Sequence, residues 1–184
     1  MIYVFGYGSL INNKSISRTL KREIADEEIY PVKLTKCSRK WRLKETVHSE
    51  LLQKNVQAVF LDVELGADKK SWCNGVLFGV TDKELDSLIL REKNYNMANV
   101  SNDIDFLNTA PKKVIVFSAK KPFVVSAADN NLYIMQRYIQ MVEEGCRHWG
   151  NDFLQSFNDT TQKSTIPVLQ GKYVFTDEQQ SKNV

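Results

Sequence analysis

The sequence is poor in the residues that build metal sites and disulfide frameworks. It has two histidines, His48 and His148, and three cysteines, Cys37, Cys73 and Cys146. No pair of them has metal-ligand spacing, so no metal site is expected. Three widely separated cysteines cannot all pair, and reduced thiols in a cytoplasmic protein are the expectation. Long apolar runs are also missing: none approaches the ~20 residues a membrane span needs. Ile2-Tyr3-Val4-Phe5 is apolar but short, with no basic region before it, unlike a secretion signal. Charge of one sign is scarce, with 25 basic against 22 acidic residues and a net charge of +3. The basic pairs Lys21-Arg22, Lys112-Lys113 and Lys120-Lys121 stand apart from one another. They form no stripe of the kind that binds nucleic acid, and no aromatic-basic motif accompanies them. Repeats, low-complexity stretches and linkers are absent. The expectation is a soluble chain with a small-molecule partner, no nucleic acid, no membrane and no cofactor. Nothing in the pattern sets an oligomeric state.

What is present is ordinary globular composition: 42% hydrophobic and 26% charged residues. A chain of 184 residues can bury a real core without staples. One domain over 1–175 with a polar tail over 176–184 is expected. Ile2 to Phe5 reads as a buried strand stopped by Gly6 and Gly8. A short helix is expected over Lys14–Lys21 and an interrupted strand region over Tyr30–Val47. Val56–Leu65 and Gly75–Val80 read as a hairpin around Gly66-Ala67-Asp68. Thr81-Asp82-Lys83-Glu84 has the form of a capping box and starts a helix to about Lys93. Residues Val100–Lys113 form a polar loop, and Lys113–Ser118 a strand. Leu132, Met135, Ile139, Val142 and Cys146 recur at three and four, which predicts a long helix from Asp129 or Asn130 to His148. Asn151-Asp152 can cap a short successor, and Thr165–Phe175 reads as a last strand. Strands adjacent in sequence and punctuated by helices point to an α+β fold. Its sheet should be mostly antiparallel or mixed, with helices packed outside.

Two places could carry chemistry. Glu92 lies seven residues after Leu85, four after Leu88 and three after Ile89, on the face those apolar residues define. A carboxylate on a buried face is costly unless it is paired, and burial raises its pKa toward that of a general base. The alternative is that the helix ends there and Glu92 faces solvent or pairs with Arg91. The second place is Gly6-Tyr7-Gly8-Ser9-Leu10. Its glycines allow a sharp turn whose amides can converge on an anion. No third glycine follows at dinucleotide-binding spacing, and the pattern is not a serine-nucleophile elbow. The alternative is a plain strand-ending turn.

Together, Val4-Phe5-Gly6-Tyr7-Gly8-Ser9-Leu10 and the later Arg91-Glu92-Lys93-Asn94-Tyr95 resemble the γ-glutamylcyclotransferase-like family. So do Asn74-Gly75-Val76-Leu77-Phe78 and Thr81-Asp82-Lys83-Glu84-Leu85 between them. The resemblance implies a small barrel-like sheet with flanking helices and one cavity. It implies cyclisation of a γ-glutamyl amide to 5-oxoproline with release of an amine or amino acid. It assigns Glu92 as the proton-transfer group and Tyr7, Gly8, Ser9, Leu10 and Tyr95 to substrate binding, with no metal or cofactor. The chain departs from the family pattern at Ile11-Asn12-Asn13, at Lys93-Asn94 and at Phe117, where many relatives carry Tyr. A non-catalytic small-molecule-binding or regulatory protein on the same fold is the alternative. Trp41, Trp72 and Trp149 are expected to pack in the core or at a rim, and Tyr138 to be structural.

Overall fold

Five strands dominate the first half of the chain, from the short apolar β-rich segment at Ile2–Gly6 to a 13-residue strand at Cys37–Ser49. A computed structural model describes residues 1–105 and 111–177. Strand β1 (Ile2–Gly6) is followed by a 3-10 turn at Ser9–Ile11 and helix α1 (Asn13–Leu20). Then come β2 (Ile29–Thr35), β3 (Cys37–Ser49), β4 (Lys54–Leu65), β5 (Trp72–Val80) and helix α2 (Asp82–Arg91). The chain continues through β6 (Tyr95–Asn99), β7 (Ile104–Asp105), β8 (Val114–Ala119) and β9 (Leu132–Met135). Helices α3 (Gln136–His148) and α4 (Asn151–Thr160) follow, then β10 (Val168–Leu169) and β11 (Tyr173–Phe175).

The strands form two mixed sheets, in the orders β6-β8-β1-β5-β2-β7 and β10-β9-β4-β3-β11. In the first, β1 lies antiparallel to β5 and parallel to β8. In the second, β3 and β4 form a long antiparallel hairpin, and β9 adds to β4 in parallel. One apolar cluster joins α1 and α2 to the first sheet through Ile16, Leu20, Leu85 and Leu88. A second joins α3 and α4 to the second sheet through Val142, Cys146 and Phe157. The third unites Phe5, Leu34 and Leu77 with Val63 across the sheets. The architecture is α+β, as expected.

Three sequence expectations are corrected. β4 and β5 do not pair with each other; β4 sits between β9 and β3, and β5 between β1 and β2. Both are buried on both faces along most of their length, so each occupies a central place in a different sheet. The long helix begins at Gln136, not near Asp129. Leu132 to Met135 extends instead and pairs with the open edge of β4. A three-and-four spacing over so few residues fits a strand running into a helix as well as one helix. Finally, Thr165–Phe175 is two short strands on opposite edges of the second sheet. Gly171, at φ 93°, turns the chain between them. The capping box is formed: the Thr81 hydroxyl accepts from the Glu84 amide at 3.3 Å, and the Thr81 amide donates to the Glu84 carboxylate at 2.7 Å. The part of the Val100–Lys113 segment over 106–110, and the tail from 178 on, lie outside the described residues.

One buried cation ties these layers together. Arg39, on β3, is 0% exposed and stacks over the Phe157 ring at 3.8 Å. Its Nη1 donates to the carbonyls of Asn74 (2.6 Å) and Tyr7 (3.3 Å). Its Nη2 reaches Asn74 Oδ1, Phe157 O and Thr160 Oγ1, and its Nε reaches Thr161 Oγ1. β3, β5, the turn after β1 and the end of α4 are thereby joined by one planar fork. Substituting Arg39→Met leaves these acceptors buried and unpaired, at about 1–3 kcal/mol for each uncompensated group. Urea denaturation should register a loss of at least ~3 kcal/mol. Arg39→Lys should recover little of it, because a compact ammonium has three donors and no fork.

Candidate active site

The site begins at the end of β1. Tyr7 leaves the strand with its ring buried. Its hydroxyl donates to the Phe117 carbonyl at 2.6 Å and lies 3.4 Å from Asp62 Oδ1. The chain then turns: the Ile11 amide donates to the Gly8 carbonyl at 3.0 Å and the Asn12 amide to the Ser9 carbonyl at 3.2 Å. Asn12 caps α1 through the Ser15 amide and donates to the Met141 carbonyl on α3 at 3.1 Å. The Leu10 side chain packs into the core with Val4 and Ile16, so it anchors the turn from below. Gly8 is required by close approach. A Cβ there would stand 2.7 Å from the Tyr138 hydroxyl.

Glu92 arrives from the other side. Leu85 and Leu88 are buried as expected, but Ile89 is 41% exposed and α2 stops at Arg91. Glu92 is therefore the residue that ends the helix. Its amide donates to Leu88 and its carbonyl accepts from the Tyr95 amide at 2.9 Å. This tight turn puts the Glu92 carboxylate and the Tyr95 ring into the same cavity. The Glu92 side chain is 13% exposed, with Arg91 Nε 3.2 Å from Oε1. The same guanidinium donates to Ser9 Oγ at 3.3 Å and to the Thr19 hydroxyl. Burial pushes the Glu92 pKa up, and the Arg91 charge only partly opposes it.

The cavity has an inner and an outer part. The inner part, about 40 Å³, is bounded by the Tyr7–Leu10 turn, Leu61, Phe117, Tyr138, Glu92 and Tyr95. The outer part, about 100 Å³, shares Ser9, Glu92, Tyr95 and Tyr138 and adds an aromatic wall of Phe60, Tyr173 and Phe175. Burial raises the pKa of Tyr7, Tyr95 and Tyr138, so all three phenols stay protonated donors. The Tyr138 hydroxyl lies against the backbone amides of Leu61 and Ser9, which favour its anionic form and oppose the burial effect. Leu61 sits where the β3–β4 register slips between Trp41 and Leu43. The Tyr138 hydroxyl borders both parts of the cavity. Asp62 is completely buried behind Tyr7. It accepts from Arg42 Nε at 2.6 Å and from the Ala119 amide at 2.8 Å, yet burial still raises its pKa.

All six residues expected from sequence, Tyr7, Gly8, Ser9, Leu10, Glu92 and Tyr95, thus border one cavity. Sequence reasoning missed Tyr138, Arg91 and Phe60. Tyr138 carried a signal: it lies four residues before Val142 and eight before Cys146, a polar-headed side chain on the apolar face of α3. The tryptophans do not border either part of the cavity. Among the described residues of the Val100–Lys113 segment, none does so either.

The fold matches known structures. A gamma-glutamyl cyclotransferase superposes over 91% of this chain and 93% of its own, with a TM-score of 0.60 at 12% identity. The chain has the γ-glutamylcyclotransferase-like fold. A gamma-glutamyl cyclotransferase specific to glutathione, from yeast, matches over 89% of this chain and 98% of its own, with a TM-score of 0.52 at 14% identity. YkqA from Bacillus subtilis matches over 91% of this chain but 56% of its own, with a TM-score of 0.60 at 18% identity. No family model and no curated protein matches the sequence. Within the γ-glutamylcyclotransferase-like fold, the described residues include no group of three potential metal-ligating side chains and no helix long and apolar enough to cross a membrane.

A raised carboxylate pKa in the fold carries a stability signature. Its contribution is fully present below the unfolded-state pKa and is lost as pH rises through the folded-state value. Above that value the buried Glu92 anion is a net cost that Glu92→Gln removes. The variant should melt higher than wild type at pH 8, and the gap should close as pH falls toward 4, read by thermal denaturation across pH. A gap that is constant with pH would show that Glu92 is not titrating in an unfavourable site.

Proposed function

We propose that this chain is a cofactor-independent γ-glutamyl cyclotransferase. It would convert a γ-glutamyl amide to 5-oxoproline and release an amine or amino acid. The observation that carries the reading is the Glu92 carboxylate, held in one cavity with the Ser9 turn and the Tyr138 hydroxyl and with its pKa raised.

In this reading the nucleophile belongs to the substrate, so the protein supplies no attacking group. The α-ammonium of the glutamyl group gives up a proton to Glu92, and the freed amine attacks the side-chain carbonyl carbon. A C–N bond closes the five-membered ring, and the C–N bond to the departing nitrogen breaks. The ammonium loses two protons in all and the departing nitrogen gains two, so one carboxylate can pass them in turn. The Tyr138 hydroxyl and the turn amides would donate to the carbonyl oxygen as it gains charge. The Arg91 guanidinium, beside Ser9, would hold the glutamyl carboxylate. Ring closure is intramolecular, so a cavity that keeps the substrate folded supplies much of the acceleration.

A second reading, a non-catalytic small-molecule-binding or regulatory protein on the same fold, draws support from the 3.2 Å contact between Arg91 and Glu92. A carboxylate neutralised by its neighbour suits a binding wall as well as a base. Release of 5-oxoproline from glutathione, γ-glutamyl amino acids and a γ-glutamyl amine separates the two. Turnover of one of these substrates should fall about 10²–10⁴-fold in Glu92→Gln, the usual range for a lost general acid–base group. Tyr138→Phe should lower kcat while changing KM little. A folded protein that binds γ-glutamyl compounds and releases no 5-oxoproline would favour the second reading.

A further inference from the structure

The outer part of the cavity has a composition of its own. Phe60 stacks on Phe175 with ring centroids 5.4 Å apart, and Tyr173 packs against both at 6.1 and 5.7 Å. Tyr138 meets Phe60 edge to face at 4.9 Å. Leu43 and Met141 extend this apolar surface. Such a wall rewards a flat or bulky apolar group by desolvation and ring contact. It offers little to a polar chain.

The charged groups at the same opening are not equivalent. Arg91 contacts Ser9, Thr19 and Glu92 and, in the proposed reaction, takes the glutamyl carboxylate. Arg18, on the exposed side of α1, borders the outer cavity, and its guanidinium makes no hydrogen bond or ion pair among the described residues. Glu45 borders the cavity from β3. A carboxylate entering here is drawn to the α1 side by Arg18. A cationic amine would meet two guanidinium groups on the α1 and α2 side.

We infer that the group carried on the substrate's amide nitrogen is an aromatic or other large apolar α-amino acid. Its side chain lies on the Phe60–Tyr173–Phe175 wall and its carboxylate on Arg18. The inference rests on the cyclotransferase reading and narrows it. Glutathione, whose departing portion is a polar dipeptide, and γ-glutamyl amines with a free ammonium fit this surface less well.

The test uses the full chain with γ-glutamyl-phenylalanine, γ-glutamyl-alanine, γ-glutamyl-phenethylamine and glutathione. Both 5-oxoproline release by wild type and calorimetric binding to Glu92→Gln are read. The kcat/KM for γ-glutamyl-phenylalanine should exceed those for γ-glutamyl-alanine and glutathione by about tenfold or more, the scale of apolar-pocket discrimination. Arg18→Gln should raise KM for γ-glutamyl-phenylalanine about tenfold, as expected for losing one charged hydrogen-bond partner. It should leave γ-glutamyl-phenethylamine, which lacks the carboxylate, unaffected. Equal handling of the alanine and phenylalanine compounds, or an equal Arg18→Gln effect on acid and amine, overturns the inference and leaves the cyclotransferase reading intact. Preferred binding of γ-glutamyl-phenylalanine with no turnover of any compound supports the inferred ligand and overturns the catalytic reading. Absence of binding by all four overturns both.

Discussion

A single buried guanidinium holds the frame on which the site is built. Arg39 has no water around it, so each of its N–H groups must find an acceptor in the protein. It finds them outside its own sheet: the Asn74 backbone and side chain on β5, the Tyr7 carbonyl after β1 and the last turn of α4. The Phe157 ring closes the face of the fork. The Tyr7 carbonyl is the most consequential acceptor, because the turn that follows it forms one wall of the cavity. A fork that serves both sheets and a helix cannot be relaxed at one end without releasing the others.

The cavity itself is a meeting of segments far apart in the chain. The turn after β1 contributes Tyr7 to Leu10, and the end of α2, the bulged centre of the β3–β4 hairpin and the first turn of α3 each contribute one or two groups. Burial does the electrical work. It makes Glu92 a stronger base than an exposed carboxylate, and it keeps the three phenols protonated. The cost is borne by the fold around it, notably by the Arg91 side chain, which balances part of the Glu92 charge while also bracing Ser9. Basicity in Glu92 and stability of the chain therefore pull against each other through one residue.

The sequence errors share a cause. β4 and β5 follow one another with a turn between them, which on sequence alone predicts a pair. Both are apolar on both faces, however, and such strands seek central positions, which the two sheets supply separately. Leu132 and Met135 match a helical period that is satisfied equally by an extended run entering a helix. In each case the choice was made by an open strand edge elsewhere in the molecule. Sequence proximity is silent about such edges. The capping box at Thr81 was legible because both of its hydrogen bonds span three residues.

By itself the sequence determined the local features: the strand ending at Gly6, the turn through Ser9, the start of α2 and the position of Glu92 just past its buried stripe. These depend on backbone geometry and on neighbours within a turn or two. Only the tertiary structure decided that Tyr138, Arg91 and Phe60 share the cavity with Glu92. Tyr138 and Val142 look alike as members of an apolar helical face. What distinguishes the tyrosine is its hydroxyl against the Ser9 and Leu61 amides, brought near by the packing of α3 on the β1 turn and on β4. The same packing closes the space around Glu92. A carboxylate's pKa depends on that surrounding volume, which is formed by residues from every quarter of the chain.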